Sequence, residues 1–147
     1  MKPVRTYLSL SPDDRRLLRQ AAAAVLVARV SLWVADIAWM RRWAAQTGAE
    51  DRGTGRRPVN RIVWAVQAAC RRVPGSTCLV WSLALQRVLS RHGHVSELQI
   101  GVARNGAAFS AHAWIVCDGE VYDNGGPDDS YTRLTAWRTS LNSGEKA

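Results

Sequence analysis

The sequence predicts an α+β domain in which helices come first and an antiparallel β-meander follows. Three observations carry this. Apolar residues recur at helical spacing as far as Gly93; two-residue alternation then takes over; and the dipeptides Asn105-Gly106 and Asp118-Gly119 punctuate the alternating part as hairpin turns. The chain has 147 residues, 47% of them hydrophobic, which suffices for one core, so residues 1–147 read as a single domain.

The first helical region spans residues 11–44. It opens on "SPDD", a Ser cap, a Pro at the first helical position and two acids in the first turn, all of which favour a helix N-terminus. A long helix, broken once, is expected to follow. Its middle, "AAAAVLVARVSLWVADIAWM", is about as long as a membrane span, but Arg29 and Asp36 interrupt it seven residues apart, on one face of a helix. That favours a buried or partner-facing region over membrane insertion. Residues 46–58, "QTGAEDRGTGRRP", are rich in Gly and charge and read as a linker, leaving 59–142 as the core of the domain. In that core "VNRIVWAVQAACRRV" has Ile62, Val63, Val66 and Ala69 or Cys70 at helical spacing.

After "PGST" a further helix begins near Cys78 and stops at Gly93. Three strands follow: "VSELQIGVA", "AFSAHAWIVC" and "EVYD". His92 and His94 flank the helix stop, where exposure to solvent is expected.

A cysteine in the first turn of an otherwise apolar helix calls for a reason, because Leu or Ala packs better there. The free N–H groups and positive dipole end of a helix start favour a thiolate, the form in which cysteine attacks carbonyls. Ser76 or Thr77 supplies the cap. Cys78 also needs a base, and His112 is the only histidine within an expected strand. Ser110, His112, Trp114 and Val116 share one face by alternation, whereas Cys117 points to the other. If Asp118-Gly119 form a two-residue loop, Cys117 pairs with Glu120 and Trp114 with Asp123, so Asp123 lies diagonal to His112 on its face and Asn124 faces away. A loop at Asn105-Gly106 sets Gln99 opposite His112, with Gly101, Ala103, Ala108 and Ser110 as small neighbours. A Cys78-His112-Asp123 triad follows, provided that the Cys78 helix packs on that face. Taken one at a time the three residues have plainer uses: a buried hydrophobe, a core histidine and a turn acid.

Composition narrows the function classes. Three cysteines, at 70, 78 and 117, are too few and odd in number for a disulfide framework, which points to a reducing cytoplasm; the N-terminus shows no signal-peptide pattern. No paired spacing of metal ligands is present, and no metal or other cofactor is expected. The net charge of +8 is almost all arginine, with Lys2 and Lys146 the only lysines. It suits solvated faces or an acidic peptide partner. The arginines are scattered in pairs without interleaved exposed aromatics, which argues against a nucleic-acid surface. The seven tryptophans are expected mostly in the core or in groove walls.

Residues 74–123, "PGSTCLVWSLALQRVLSRHGHVSELQIGVARNGAAFSAHAWIVCDGEVYD", resemble the transglutaminase-like cysteine peptidase that removes the leader from lasso-peptide precursors, in its stand-alone form. "TCL", the apolar helix, the "GV" strand and "AHAW" followed by a turn and an acid occur in that family's order, and "SPDDRRLLRQA" at 11–21 resembles its N-terminal helix. The resemblance implies a transglutaminase/papain-like core with the cysteine at a helix N-terminus and His and Asp on the sheet. It makes Cys78 the nucleophile, His112 the base and Asp123 the orienting acid. It further implies a precursor peptide as substrate, a separate leader-binding protein and an ATP-dependent cyclase as partners, and no cofactor. One departure is that the family's acid often lies one residue further on, where this chain has Asn124. The backbone N–H of Cys78 would meet the oxyanion, with Gln67 or Gln99 as second donor. The rival readings are another acyl transfer by the same triad, such as transglutamination or amide hydrolysis, and a non-catalytic basic interaction module. The helices carrying Trp33, Trp39 and Trp43 are the expected docking surface for a partner.

Overall fold

The computed structural model describes residues 7–45, 57–124 and 132–138. Among the described residues the helices α1 (Pro12–Val34), α2 (Ile37–Ala45), α3 (Val59–Cys70) and α4 (Cys78–Arg91) precede the strands β1 (Ser96–Asn105), β2 (Ala108–Cys117), β3 (Glu120–Tyr122) and β4 (Thr132–Arg138). Most of the expected linker lies outside the described residues.

The start of α1 follows from its sequence. The Ser11 hydroxyl accepts from the Asp14 N–H at 3.1 Å, and Pro12 occupies the first turn. The break comes at Ala35, which is extended, and Asp36, whose carboxylate accepts from the Trp39 N–H at 2.7 Å to start α2. Arg29 therefore stands on α1 while Asp36 lies between the helices as the cap of α2, so the two do not share one helix face as expected: an Asp near a helix end gains more as a cap than as a mid-helix charge. By length and composition alone α1 could cross a membrane. Its Leu17, Leu18, Ala21, Ala24, Val25 and Ala28 are nonetheless buried, on a helix that packs against α3 and α4. Arg61 of α3 clamps Asp14 through two hydrogen bonds, Nε to Oδ1 at 3.0 Å and Nη2 to Oδ2 at 2.6 Å.

Helix α4 is the centre of the molecule. Every residue from Val80 to Ser90 except Arg87 is buried, so truncating Leu83, Leu85 or Leu89 to alanine should cost about 2–5 kcal/mol each. It contacts all three other helices and also β1 and β2.

The sheet is antiparallel in the order β3-β2-β1-β4. The β2–β3 hairpin has the expected register, Cys117 opposite Glu120, because Asp118 (φ 52°) and Gly119 (φ 80°) both adopt left-handed backbone in a two-residue turn. The β1–β2 hairpin does not follow the expectation. Asn105 pairs with Ala108, so the loop is Gly106-Ala107, with Gly106 at φ 63° in the first loop position. Among the described residues Asp118 is the only non-glycine with positive φ, so Ala107 keeps ordinary backbone while Gly106 takes the left-handed position. The resulting slip of two residues keeps every side chain on its face but sets Gly101, not Gln99, opposite His112, and Gln99 opposite Trp114. Strand β4 extends the meander: it pairs with β1 at the edge away from β3, a long-range pairing that local alternation does not announce.

His92 and His94 are 9% and 5% exposed, against the expectation of an open loop. Nε2 of His92 bonds Oε1 of Gln20 at 3.0 Å and Nε2 of His94 bonds the Arg57 carbonyl at 2.6 Å, so each ring is held through Nε2 by a distant part of the chain. Among the described residues Trp81 is buried, at 1% exposed, Trp43, Trp64 and Trp114 are half-buried, and Trp33 and Trp39 are exposed, at 77% and 40%.

Candidate active site

Cys78 is the first residue of α4. Thr77 is the cap; its hydroxyl accepts from the Val80 N–H at 3.3 Å. The N–H groups of Cys78 and Leu79 precede the first helical hydrogen bond, the one from Trp81 to the Thr77 carbonyl, and so point outward as donors at the helix start. The preceding loop is braced from α1. Gly75 has φ +76°, Arg29 Nε donates to the Pro74 carbonyl at 3.4 Å, and a Cβ on Gly75 would come within 2.8 Å of the Arg29 guanidinium. Cys78 is partly exposed, whereas Cys70 and Cys117 are buried. Burial pushes the Cys70 thiol above its usual range, which suits packing and not attack.

His112 stands in the middle of β2 and Asp123 one residue beyond β3. The imidazole Nε2 and Asp123 Oδ1 are 2.6 Å apart, and the carboxylate side chain is 2% exposed. A carboxylate can only accept, so Nε2 carries the hydrogen and Nδ1 is left as the nitrogen that takes up a proton. The second oxygen, Oδ2, is buried with no hydrogen-bond partner among the described residues. A buried carboxylate with one partner is costly unless that partner becomes a cation, which is what an orienting acid does for its histidine.

Trp114 frames the imidazole. Its ring lies 6.2 Å from that of His112 at an interplanar angle of 28°, and its Nε1 donates to Gln99 Oε1 at 2.9 Å. Gly101, opposite His112, leaves room for the indole: a Cβ there would meet Trp114 at 2.7 Å and the Thr132 carbonyl at 3.1 Å. Gln99 gives its amide N–H to Glu97 at 2.7 Å and its oxygen to Trp114, so it is engaged with the indole and not with an oxyanion. Gln67 of α3 reaches the end of β3, with Nε2 3.5 Å from Asn124 Oδ1. Asn124 is thus turned to α3 while Asp123 holds the histidine.

The structure brings His112 and Asp123 together directly. It treats Cys78 differently. The body of α4 packs on the face of the sheet that carries Leu98, Ile115 and Cys117, the alternate positions to His112 and Trp114, so the helix does not lie flat on the histidine face as expected. Among the described residues no hydrogen bond reaches the Cys78 thiol. A cleft of about 560 Å³ lined by Leu18, Arg19, Ala69, Arg72 and others lies on α1 and α3 and includes none of the three residues.

A cysteine opening the central helix, followed by a β-hairpin that bears a His-Asp pair, is an arrangement for acyl transfer through a thioester. The sequence profile of the transglutaminase-like superfamily matches residues 11–136. The chain belongs to that superfamily. The match runs from the cap of α1 into β4, so these helices followed by an antiparallel sheet are the family's α+β fold. The transglutaminase-like superfamily includes cysteine peptidases and acyl transferases, and its catalysis is typically cysteine-based. Comparison with curated proteins and with solved structures gives no match.

Proposed function

We propose that this chain is a cysteine peptidase that cuts a ribosomally made lasso-peptide precursor between leader and core. The observation that carries the reading is the 2.6 Å His112–Asp123 bond in a transglutaminase-like chain whose central helix opens on Cys78. The resemblance of residues 74–123 to the stand-alone leader peptidases supports the choice of substrate.

In this mechanism Nδ1 of His112 takes the proton of Cys78, and the thiolate adds to the scissile carbonyl. The backbone N–H of Cys78 donates to the oxyanion, and the neighbouring N–H of Leu79 at the helix start is a further donor there. The imidazolium, held by Asp123, protonates the departing amine, and a thioester to the leader remains. Water, deprotonated by His112, then releases the leader as a free acid. The reading requires the Cys78 thiol to come within hydrogen-bond reach of Nδ1 when substrate is engaged; catalytic hydrogen bonds in free enzymes are often long and tighten at that point. The protein works beside a separate leader-binding protein, which raises the local concentration of the cut site, and an ATP-dependent cyclase that uses the freed amine. The compartment is the cytoplasm.

The test is mass spectrometry of a full-length precursor incubated with the enzyme, with and without the leader-binding protein. The reading requires a leader ending in a free carboxylate, released faster when the binding protein is present. A new amide in place of the acid would identify the transglutaminase-type rival, which shares the thioester and differs only in acceptor. No turnover of the precursor with either addition would remove the peptidase reading.

A further inference from the structure

A second constellation lies where the chain leaving α4 meets the β2–β3 turn. One ring nitrogen of His94, Sγ of Cys117 and a carboxylate oxygen of Asp118 all lie within 4.8 Å of one another. We propose that these three residues form a zinc site, separate from the Cys78 centre.

Donor chemistry is the first argument. Imidazole, thiolate and carboxylate are the three side-chain ligands that Zn²⁺ takes, and three of them with one position left for water is a recurrent coordination number for it. Burial is the second. His94 and Cys117 are 5% and 1% exposed, while Asp118 is exposed, which gives an ion two ligands withdrawn from water and an open side for entry and for the water ligand. The third is orientation. His94 Nε2 sits 2.6 Å from the Arg57 carbonyl oxygen, which can only accept; Nε2 therefore carries the hydrogen, and Nδ1 is the nitrogen that would have to ligate the ion. A backbone carbonyl holding the other ring nitrogen is the outer-shell partner that metal-bound histidines usually have.

Backbone geometry explains how neighbours converge. Successive residues of a strand point to opposite faces, so Cys117 and Asp118 would diverge if the strand continued. The left-handed backbone of Asp118, φ 52°, ends that alternation and turns its carboxylate back toward the thiol. An Asp-Gly turn and a buried cysteine each have ordinary structural uses, and Cys117 Sγ now contacts the Val95 carbonyl at 3.5 Å. The β1–β2 register, Ser96 opposite Cys117, brings the segment carrying His94 beside the turn; what it does not require is that an imidazole, a thiol and a carboxylate converge there. On binding, the Cys117 S–H bond breaks, its proton passes to solvent and a Zn–S bond forms, with no change of oxidation state. The ion then ties the segment after α4 to the hairpin that leads to Asp123.

The experiment uses zinc-free full-length protein carrying Cys78→Ala, so that the more accessible thiol cannot contribute. Zn²⁺ affinity is read by competition with a chromophoric chelator, and Co²⁺ is added as a spectroscopic probe. One zinc per chain and a thiolate-to-cobalt charge-transfer band are expected. Asp118→Asn, which tolerates the left-handed turn, should weaken zinc by about 10-fold or more, and Cys117→Ala should abolish the charge-transfer band. Should Cys117→Ala fail to fold, the Asp118→Asn affinity and the cobalt band decide. Zinc binding absent in the Cys78→Ala protein, affinity unchanged by Asp118→Asn, or a cobalt spectrum without thiolate ligation would overturn the proposal.

Discussion

His112 and Asp123 meet diagonally across the β2–β3 hairpin, Nε2 to Oδ1 at 2.6 Å, one step past the Ile115–Tyr122 pair. A diagonal contact suits a histidine and a short carboxylate, because their side chains lean along the strands. It also leaves the position beside the imidazole to Trp114, whose indole walls off one side of the ring. The geometry chooses Asp123 over its neighbour, since Asn124 bonds Gln67 instead.

The first prediction tests that choice. Asp123→Asn keeps the shape of the pair but favours the wrong tautomer, and precursor turnover should fall by up to about 10⁴-fold with the melting temperature little changed. Asn124→Ala should leave turnover within a few fold. A crippled Asn124→Ala beside a mild Asp123→Asn would make the asparagine the orienting group.

Exposure separates the three thiols. Iodoacetamide should label Cys78 well before the buried Cys70 and Cys117, as read by peptide mass mapping. Cys78→Ala should abolish cleavage without unfolding the protein, whereas Cys70→Ala should cost stability alone. His112→Ala should slow the labelling of Cys78 at neutral pH if thiol and imidazole act as a pair; an unchanged rate would separate them.

Gly101 is expected to be intolerant of even a methyl group. Its Cβ would stand 2.7 Å from the Trp114 ring and 3.1 Å from a backbone carbonyl of β4, so the indole must leave its place beside His112. Gly101→Ala should lower stability by about 1–3 kcal/mol, the usual cost of overpacking, and should lower turnover. Restored turnover in Gly101→Ala combined with Trp114→Phe would show that the indole transmits the effect.

The Arg61–Asp14 clamp gives a pH signature. The hydrogen bonds from Arg61 hold the Asp14 carboxyl below its usual range, so the folded pKa lies under the unfolded one. The stabilisation is complete above the unfolded value and disappears as pH falls through the folded one. The pair is partly exposed, so its worth is about 0.5–1 kcal/mol. Chemical denaturation of wild type and Asp14→Asn should differ by that amount at pH 7 and converge in acid. A gap that persists or grows in acid would refute the assignment.

Much of this protein is legible one segment at a time. The start of α1, the start of α4 at Cys78 and the β2–β3 register each depend on a few adjacent residues: Ser11-Pro12, Thr77-Cys78 and Asp118-Gly119. Such features are fixed by caps and turns whose energetics are complete within one turn of chain, and the placing of Asp123 on the face of His112 follows from them. The Gly106 turn shows the limit of this, because Asn105-Gly106 and Gly106-Ala107 both make acceptable two-residue loops and differ by a slip that preserves every face.

What only the tertiary structure decided is how those segments meet. Nothing local in "TRLTAWR" assigns it to the far edge beside β1, and nothing in "HGH" says that Gln20 and Arg57 will bury both rings. The same holds for the face of the sheet that α4 covers and for the approach of His94 to Cys117 and Asp118. Strand alternation divides side chains between two faces but does not say which face will be dry. That depends on which helix arrives there, and the choice is made by burial of apolar area summed over the whole core, to which no single segment contributes enough to decide it.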